Sequence, residues 1–332
     1  MKAMILSAGL GTRLRPVTDV YAKPAVPFLN VPLLYYSLAI VRQAGISSIV
    51  FNTHHKPEQI EALGRAVRDR FHVDFSPEPN APLGSGGGIY KARKYLEGSG
   101  NFLVCNGDEV VLPLKRGAIT RFLNTHRDSG ALATLLVMNH PRVGIQFGGV
   151  WTKNDNQVLG FGKDGTKFPS ADHGYHYIGL LLLNERVFKY LPEGESNILY
   201  DVLQQAINRG EKVLAHFEEF TWFETGNPSD FLNATKEALV LLTKGDPSRE
   251  DVKILKDILR TQGVKDSQIE VRNGCTLMVG KNCRIDPDAR FEGYAVIGDD
   301  AVIENDVKLT NCVVLPKARV RPGSRIENQI IY

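Results

Sequence analysis

The sequence predicts an α/β protein, a mostly parallel mixed sheet with helices on both faces, followed by a C-terminal left-handed parallel β-helix. Short apolar runs alternate with helical periodicity from Met1 to about Asn233, as strands joined by covering helices do. After Val271 the period of the apolar residues becomes six, the signature of a solenoid in which three hexapeptides make one triangular coil. The 332 residues exceed the roughly 250–300 at which single cores stop growing. Three parts are therefore expected: an α/β domain over 1–233, a helical connector over 234–268, and the β-helix over 269–332.

Residues 3–6 (Ala-Met-Ile-Leu) read as a buried strand that ends at Ser7-Ala8-Gly9. Residues 32–44 carry apolar side chains at helical spacing, 48–52 form the next strand, and 59–70 are again helical. Residues 72–75 and 101–105 are further strands. In such sheets ligands bind beyond the carboxyl ends of the strands. That rule points to Ser7-Ala8-Gly9, to Asn52-Thr53-His54 and to Asn106-Gly107-Asp108. Residues 234–242 and 250–261 are expected as two surface helices, broken by Gly245-Asp246-Pro247. The hexapeptides that follow are led by Val279, Ile285, Phe291, Ile297, Ile303, Leu309, Leu315, Val320 and Ile326, with one five-residue block at 315–319.

Composition narrows the functional classes. Hydrophobic residues at 43% and charged residues at 23% are ordinary soluble usage, which excludes disordered and fibrous chains. The 40 basic and 37 acidic residues leave +3, too slight a bias for nucleic-acid or membrane-surface partners. Cys105, Cys275, Cys283 and Cys312 show no metal spacing and read as small buried thiols. No stretch approaches the ~18 apolar residues of a membrane span, and the first apolar run is too short for a signal peptide, so a cytoplasmic protein is expected.

The first strand breaks into Gly9-Leu10-Gly11-Thr12-Arg13-Leu14-Arg15-Pro16-Val17-Thr18, with Lys23-Pro24 beyond. Gly-x-Gly lets backbone approach a polyphosphate, while Thr12, Arg13 and Arg15 add a hydroxyl and two fixed charges. A dinucleotide fingerprint needs glycine where Leu14 stands, and the turn has no Gly-Lys-Ser/Thr. The stretch instead resembles the signature G-x-G-T-R-(x)-x-P-x-T plus Lys-Pro of the sugar-1-phosphate nucleotidyltransferases. Its style is similar to that of mannose-1-phosphate guanylyltransferases and muramate-1-phosphate uridylyltransferases, and the resemblance extends over the whole chain, including the hexapeptide tail.

The resemblance implies a Rossmann-like mixed sheet and a reaction in which an NTP and a sugar 1-phosphate give an NDP-sugar and pyrophosphate. It implies that Arg13, with the backbone of Ala8, Gly9, Gly11 and Thr12, holds the triphosphate, and that Lys23 binds the sugar phosphate. Asp108, at a strand tip beside glycine, suits a hard cation through oxygen, and Mg²⁺ is expected there. Trp222-Phe223-Glu224-Thr225-Gly226-Asn227-Pro228 resembles W-x-D-x-G-T-P, which makes Glu224 the second metal ligand, with Glu in place of Asp. Residues 82–92 resemble the loop L-G-T-A-G-A, so Gly84 and Gly86 are expected under the base. Glu78 accepts from a base, which suits guanine N–H groups and also uracil. Gly107, Gly179 and Lys163 are expected on the sugar side. GTP with mannose 1-phosphate, a uridylyltransferase on an amino-sugar 1-phosphate, and a regulatory homologue that binds without turnover all stay open. The tail contains no histidine, which argues against acetyl transfer there, and it is expected to serve homo-oligomer contacts or to pack on the catalytic domain.

Overall fold

A computed structural model describes residues 1–272 and 274–332. The chain forms two compact units, one from Met1–Leu10 with Ser37–Trp222 and the other from Gly11–Tyr36 with Phe223–Tyr332.

The first unit is built on a nine-stranded sheet. Its strands are β1 (Lys2–Leu6), β2 (Ser48–Thr53), β3 (His72–Pro77), β4 (Asn101–Asn106), β5 (Ala133–Met138), β6 (Gly149–Thr152), β7 (Val158–Gly162), β8 (His173–Asn184) and β9 (Val213–Phe217). The main path runs β7-β6-β8-β4-β1-β2-β3, with β5 between β8 and β9. Strand β1 is parallel to both neighbours, Ala3 facing Ile49 and Leu103. Its Ala3, Met4 and Ile5 are all buried, because both faces of a parallel sheet are covered and no solvent side is left to alternate with. The long β8 runs antiparallel to β4 and β5, pairing Leu181 with Val104 and with Leu135. The sheet is therefore mixed, with a parallel core of β3, β2, β1 and β4.

The helix expected over 59–70 runs Pro57–Arg65. Beyond it the chain tightens into successive turns, Val67 N–H to Gly64 O and Arg70 N–H to Val67 O, which return it to β3. Gly64 is where that helix meets the sheet: a Cβ there would come within 2.7 Å of the Phe75 ring.

The C-terminal strands of the second unit pair mostly in parallel. After β10 (Ile269–Arg272), antiparallel to β11 (Cys275–Val279), the strand β11 is followed in one sheet by β13 (Arg290–Ile297), β15 (Lys308–Val314) and β17 (Arg325–Glu327). A second sheet stacks β12 (Arg284–Ile285), β14 (Val302–Ile303) and β16 (Arg319–Val320), and β18 (Ile330–Ile331) pairs with β15. Leu277 faces Ala295, and Phe291 faces Leu309, eighteen residues on in each case, which is three hexapeptides. The leading residues Ile297, Ile303, Leu309 and Val320 are buried in one cluster.

The short block is displaced by one from its expected position. Glu292 still faces Thr310, but Ala295 faces Cys312 and Ile297 faces Val314, so the missing residue falls within 309–313 rather than 315–319. Val314 and Leu315 are both apolar and both buried, and the pattern of apolarity alone does not distinguish which one leads.

The helix Pro228–Lys244 starts six residues before 234, so the expected boundary at 233/234 falls inside it. Asn227 explains the earlier start: its Oδ1 accepts from the Asp230 N–H at 3.0 Å, and Pro228 occupies the first helical position, the arrangement favoured at helix entrances. The second helix is Glu250–Thr261, as expected. Segment 11–36 packs within this unit through Phe28, whose ring lies 5.7 Å from Tyr36, 5.9 Å from Phe223 and 5.6 Å from Phe231. Among the described residues no helix is long and apolar enough to cross a membrane.

The buried ladder makes a stability prediction. Leu309→Ala removes a fully buried core side chain and is expected to cost about 2–5 kcal/mol, seen as a lower urea midpoint; an unchanged midpoint would contradict this packing.

Candidate active site

At the carboxyl ends of the parallel strands, a chain of buried polar groups ties three loops together. The Ser7 N–H donates to Asn52 Oδ1 at 2.8 Å, and the Ser7 hydroxyl donates to Asn52 O at 2.5 Å. Asn52 Nδ2 donates to Glu78 Oε1 at 2.8 Å, while the Leu83 N–H donates to Glu78 Oε2 at 2.7 Å. Glu78 is 1% exposed, and with each oxygen accepting from a protein donor its carboxylate shapes the loop that leads into the next helix. Beside this network Ala8 is buried, and Gly9 is exposed with open space where a Cβ would lie.

The glycines of helix Gly84–Lys91 have a different cause from the one expected. A Cβ on Gly84 would meet Ser196 O at 2.5 Å, on Gly86 the Ser196 Oγ at 2.5 Å, and on Gly87 the Gly194 O at 2.0 Å. Backbone of 194–198 fills that space: the Gly86 N–H donates to Ser196 O, the Ser196 N–H to Leu83 O, and the Ile198 N–H to Ser85 Oγ. Gly84 and Gly86 are thus required by a neighbouring segment, whatever lies on the helix's other side. Gly88 sits over Asn52 and Glu78, with 2.9 and 3.0 Å left for a Cβ, which seats the helix on the buried network.

Asp108 is half-buried in the turn after β4, where the Gly107 N–H donates to Leu6 O at 2.9 Å and fixes the tips of β4 and β1 together. Its neighbour Glu109 had no assigned role. Glu109 Oε1 accepts from Asn106 Nδ2 at 3.3 Å and Oε2 from Trp222 Nε1 at 2.8 Å. Gly179, at φ +78°, lies under this pair, and a Cβ on it would meet Glu109 Cγ at 2.6 Å and Asn106 Nδ2 at 3.0 Å. Glu109 and Asn106 leave no room for a Cβ at this position. Only the 113-residue separation of Glu109 and Trp222 hid this contact from sequence reading. Lys163 is exposed on an open hollow with Val143, Ile145, Trp151 and Thr166.

Trp222 belongs to a stack with His140, Phe147 and His176, whose ring centroids lie 4.7–5.9 Å apart. Burial pushes the His176 imidazole down to about 4, with His140 and Arg142 adding repulsion. Burial also lowers His126, beneath β5, to about 4, with Arg186 contributing.

In the second unit the phosphate-loop signature is folded on itself. Gly11 takes φ +64°, and a Cβ there would fall 2.8 Å from Thr18 Cγ2 and 3.1 Å from Lys23 Cβ. The Thr18 hydroxyl and the Leu14 N–H both donate to Gly11 O at 2.9 Å, closing the turn that carries Thr12 and Arg13. Both are exposed, and Lys23 is half-buried at the start of its own tight turn. Glu224 Oε1 accepts from the Gly226 N–H at 2.6 Å. A Cβ on Gly226 would collide with Glu224 Oε1 and lie 3.3 Å from the Arg13 guanidinium, so both side chains lie close to this glycine.

Two expectations test these assignments. Gly87→Ala places a methyl onto Gly194 O and is expected to cost about 1–3 kcal/mol, whereas Gly9→Ala, in open space, leaves the melting temperature unchanged; equal effects would contradict the close approach. For His126 and His176 the folded pKa lies below the ordinary value of 6.5, so the folded state binds fewer protons. Stability is then greatest above pH 6.5 and falls as pH drops toward about 4. Denaturant midpoints against pH measure this, and His176→Phe flattens part of the fall.

Comparisons with known proteins show the family of the chain. The profile of the family described as Nucleotidyl transferase matches residues 2–240. The UTP-glucose-1-phosphate uridylyltransferase of Synechocystis is 26% identical, over 100% of this chain and 87% of its own length. The mannose-1-phosphate guanylyltransferase of Mycobacterium tuberculosis is 29% identical, over 90% of this chain and 79% of that one. Among solved structures, UDP-glucose pyrophosphorylase complexed with UDP-glucose superimposes with a TM-score of 0.62 at 17% identity, over 71% of this chain and 97% of that chain. The chain belongs to the nucleotidyl transferase family.

Proposed function

We propose that the chain transfers a nucleoside monophosphate from an NTP to a sugar 1-phosphate, releasing pyrophosphate. The observation that carries this reading is the Gly11 turn, which draws Thr18 and Lys23 onto the loop bearing Thr12 and Arg13, within a chain matched to its family over residues 2–240. In the reaction an oxygen of the sugar phosphate forms a bond to the α-phosphorus. The bond from that phosphorus to the bridging oxygen breaks, and pyrophosphate leaves with the electron pair. No protein nucleophile is required, so catalysis is positioning and charge neutralisation.

Arg13 and the backbone of Ala8, Gly9, Gly11 and Thr12 hold the triphosphate and balance the charge of the leaving pyrophosphate. Lys23 holds the sugar phosphate and offsets its repulsion from the triphosphate, while Gly107 and Lys163 lie on the sugar side. Among the described residues no group of three or more His, Cys, Asp or Glu is placed to hold a metal. Asp108 and Glu224 each carry oxygen donors of the kind Mg²⁺ takes, one or two carboxylates with phosphate oxygens. When bound, the ion would neutralise phosphate charge. We assign Glu78, whose oxygens also accept from Asn52 and Leu83, with Gly84 and Gly86 to the nucleotide side, and Gly179 to the sugar side. GTP with mannose 1-phosphate is the first pair to test, after the Mycobacterium relative, and UTP with glucose 1-phosphate the second, after the Synechocystis one.

The eighteen-residue step of the parallel pairs supports a left-handed β-helix over 269–332, with homo-oligomer contacts as its second expected role. Pyrophosphate release from NTP and sugar 1-phosphate panels with Mg²⁺ tests the activity, and silence with every pair would leave a binding homologue. Asp108→Asn is expected to lower turnover about 100-fold or more. Lys23→Ala raises KM for the sugar 1-phosphate about 10–100-fold, the worth of a charged hydrogen bond, with a smaller effect on KM for the NTP.

A further inference from the structure

The segment that carries Lys23 continues into a hairpin, Pro27–Phe28 paired with Val31–Pro32. Its two-residue tip has Leu29 at φ 51° and Asn30 at φ 60°, the left-handed pair that a tight hairpin of this length requires. Asparagine tolerates that conformation; leucine rarely adopts it, and a residue held there is over-determined by its surroundings. Leu29 is 1% exposed, so the tip is inserted into protein rather than left in solvent.

What holds the tip is the C-terminal ladder. Asn30 Nδ2 donates to Ile297 O at 2.9 Å, at the end of β13. The same carbonyl accepts the Gly280 N–H at 2.7 Å, and its two lone pairs accommodate both donors. The base of the hairpin is fixed as well, by the Tyr36 hydroxyl on Phe28 O at 2.9 Å and by the Phe223 and Phe231 rings. Toward the loop, the Val26 N–H donates to Lys23 O at 3.1 Å, and Lys23 Cβ abuts Gly11. Ile297 is thus joined to Asn30 by a hydrogen bond, Asn30 to Val26 through the paired hairpin strands, and Val26 to Lys23, which lies beside Gly11.

We infer that Asn30 is a positioning residue for sugar-phosphate binding, and that the C-terminal strand ladder sets the place of Lys23 through it. This rests on the activity proposed above for Lys23. The ladder is then part of the scaffold of the reaction, although none of its own side chains need touch substrate.

The test compares the full-length protein with Asn30→Gly, which keeps the left-handed backbone and removes the donor, and with Asn30→Asp, which keeps the shape and turns the donor into an acceptor. Steady-state kinetics with the active NTP and sugar pair are expected to show KM for the sugar 1-phosphate raised about three- to tenfold in Asn30→Gly, the worth of one hydrogen bond, and raised further in Asn30→Asp. KM for the NTP and kcat stay within about twofold, a split that general loss of fold would not produce. Hydrogen exchange over residues 21–28 is expected to quicken in both variants, while that over 101–106 does not change. An active wild type with unchanged sugar KM in both variants overturns the inference. A wild type inactive with every pair overturns the activity reading instead, and the exchange arm then decides alone: faster exchange over 21–28 upholds the coupling, and unchanged exchange ends it.

Discussion

A carboxylate removed from water has to be met by donors, and Glu78 is met by Asn52 from β2 and by the Leu83 N–H from the loop entering the glycine-rich helix. Asn52 also takes the Ser7 N–H, and its carbonyl takes the Ser7 hydroxyl. One buried group thus fixes the ends of three strands and the start of a helix. The exposed backbone at Gly9 follows directly from Ser7, so the shape of the first unit's polar end depends on a residue that no ligand needs to touch. Removing that carboxylate while keeping its partners would leave two buried donors unmet, which is the costly half of breaking a hydrogen bond.

Several glycines of this protein stand where a close neighbour leaves no room for a Cβ. At 84, 86 and 87 the neighbour is the 194–196 backbone and Ser196 side chain, at 179 it is Glu109 with Asn106, and at 226 it is Glu224 with Arg13. Of the two glycines in the stretch Gly9-Leu10-Gly11, Gly9 has open space where a Cβ would lie, whereas Gly11 is crowded by Thr18 and Lys23. A glycine in a signature therefore carries two meanings that the letter alone does not separate, because both need the missing Cβ.

This ambiguity marks where the sequence could be read and where it could not. Strands at 48–52 and 101–105 were legible because buried parallel strands are continuously apolar, the strand at 72–75 because Val73 and Phe75 alternate with polar His72 and Asp74, and the period of six because its leading residues enter one core. The Gly11 turn with Arg13 and Lys23 stood out because the residues are close in sequence. The burial of Glu78 was not legible because burial is a tertiary property. Glu109 was passed over because its partner Trp222 is far along the chain. The one-residue slip at 309–313 was misplaced because Val314 and Leu315 satisfy the same pattern. Asn227, a departure from the threonine of the resembled motif, has a local explanation, since both side chains cap a helix.

The second unit is discontinuous in sequence, and Asn30 and Ile297 lie 267 residues apart. During synthesis the segment 11–36 emerges near the start, yet its partners at 223–332 come last. Its aromatic residues Phe28 and Tyr36 have no final packing until then, and loops closed over such distances form slowly. The phosphate-loop signature is thus among the first parts of the chain to be made and among the last to acquire its shape, so a truncated product would present an unfinished loop rather than a working one.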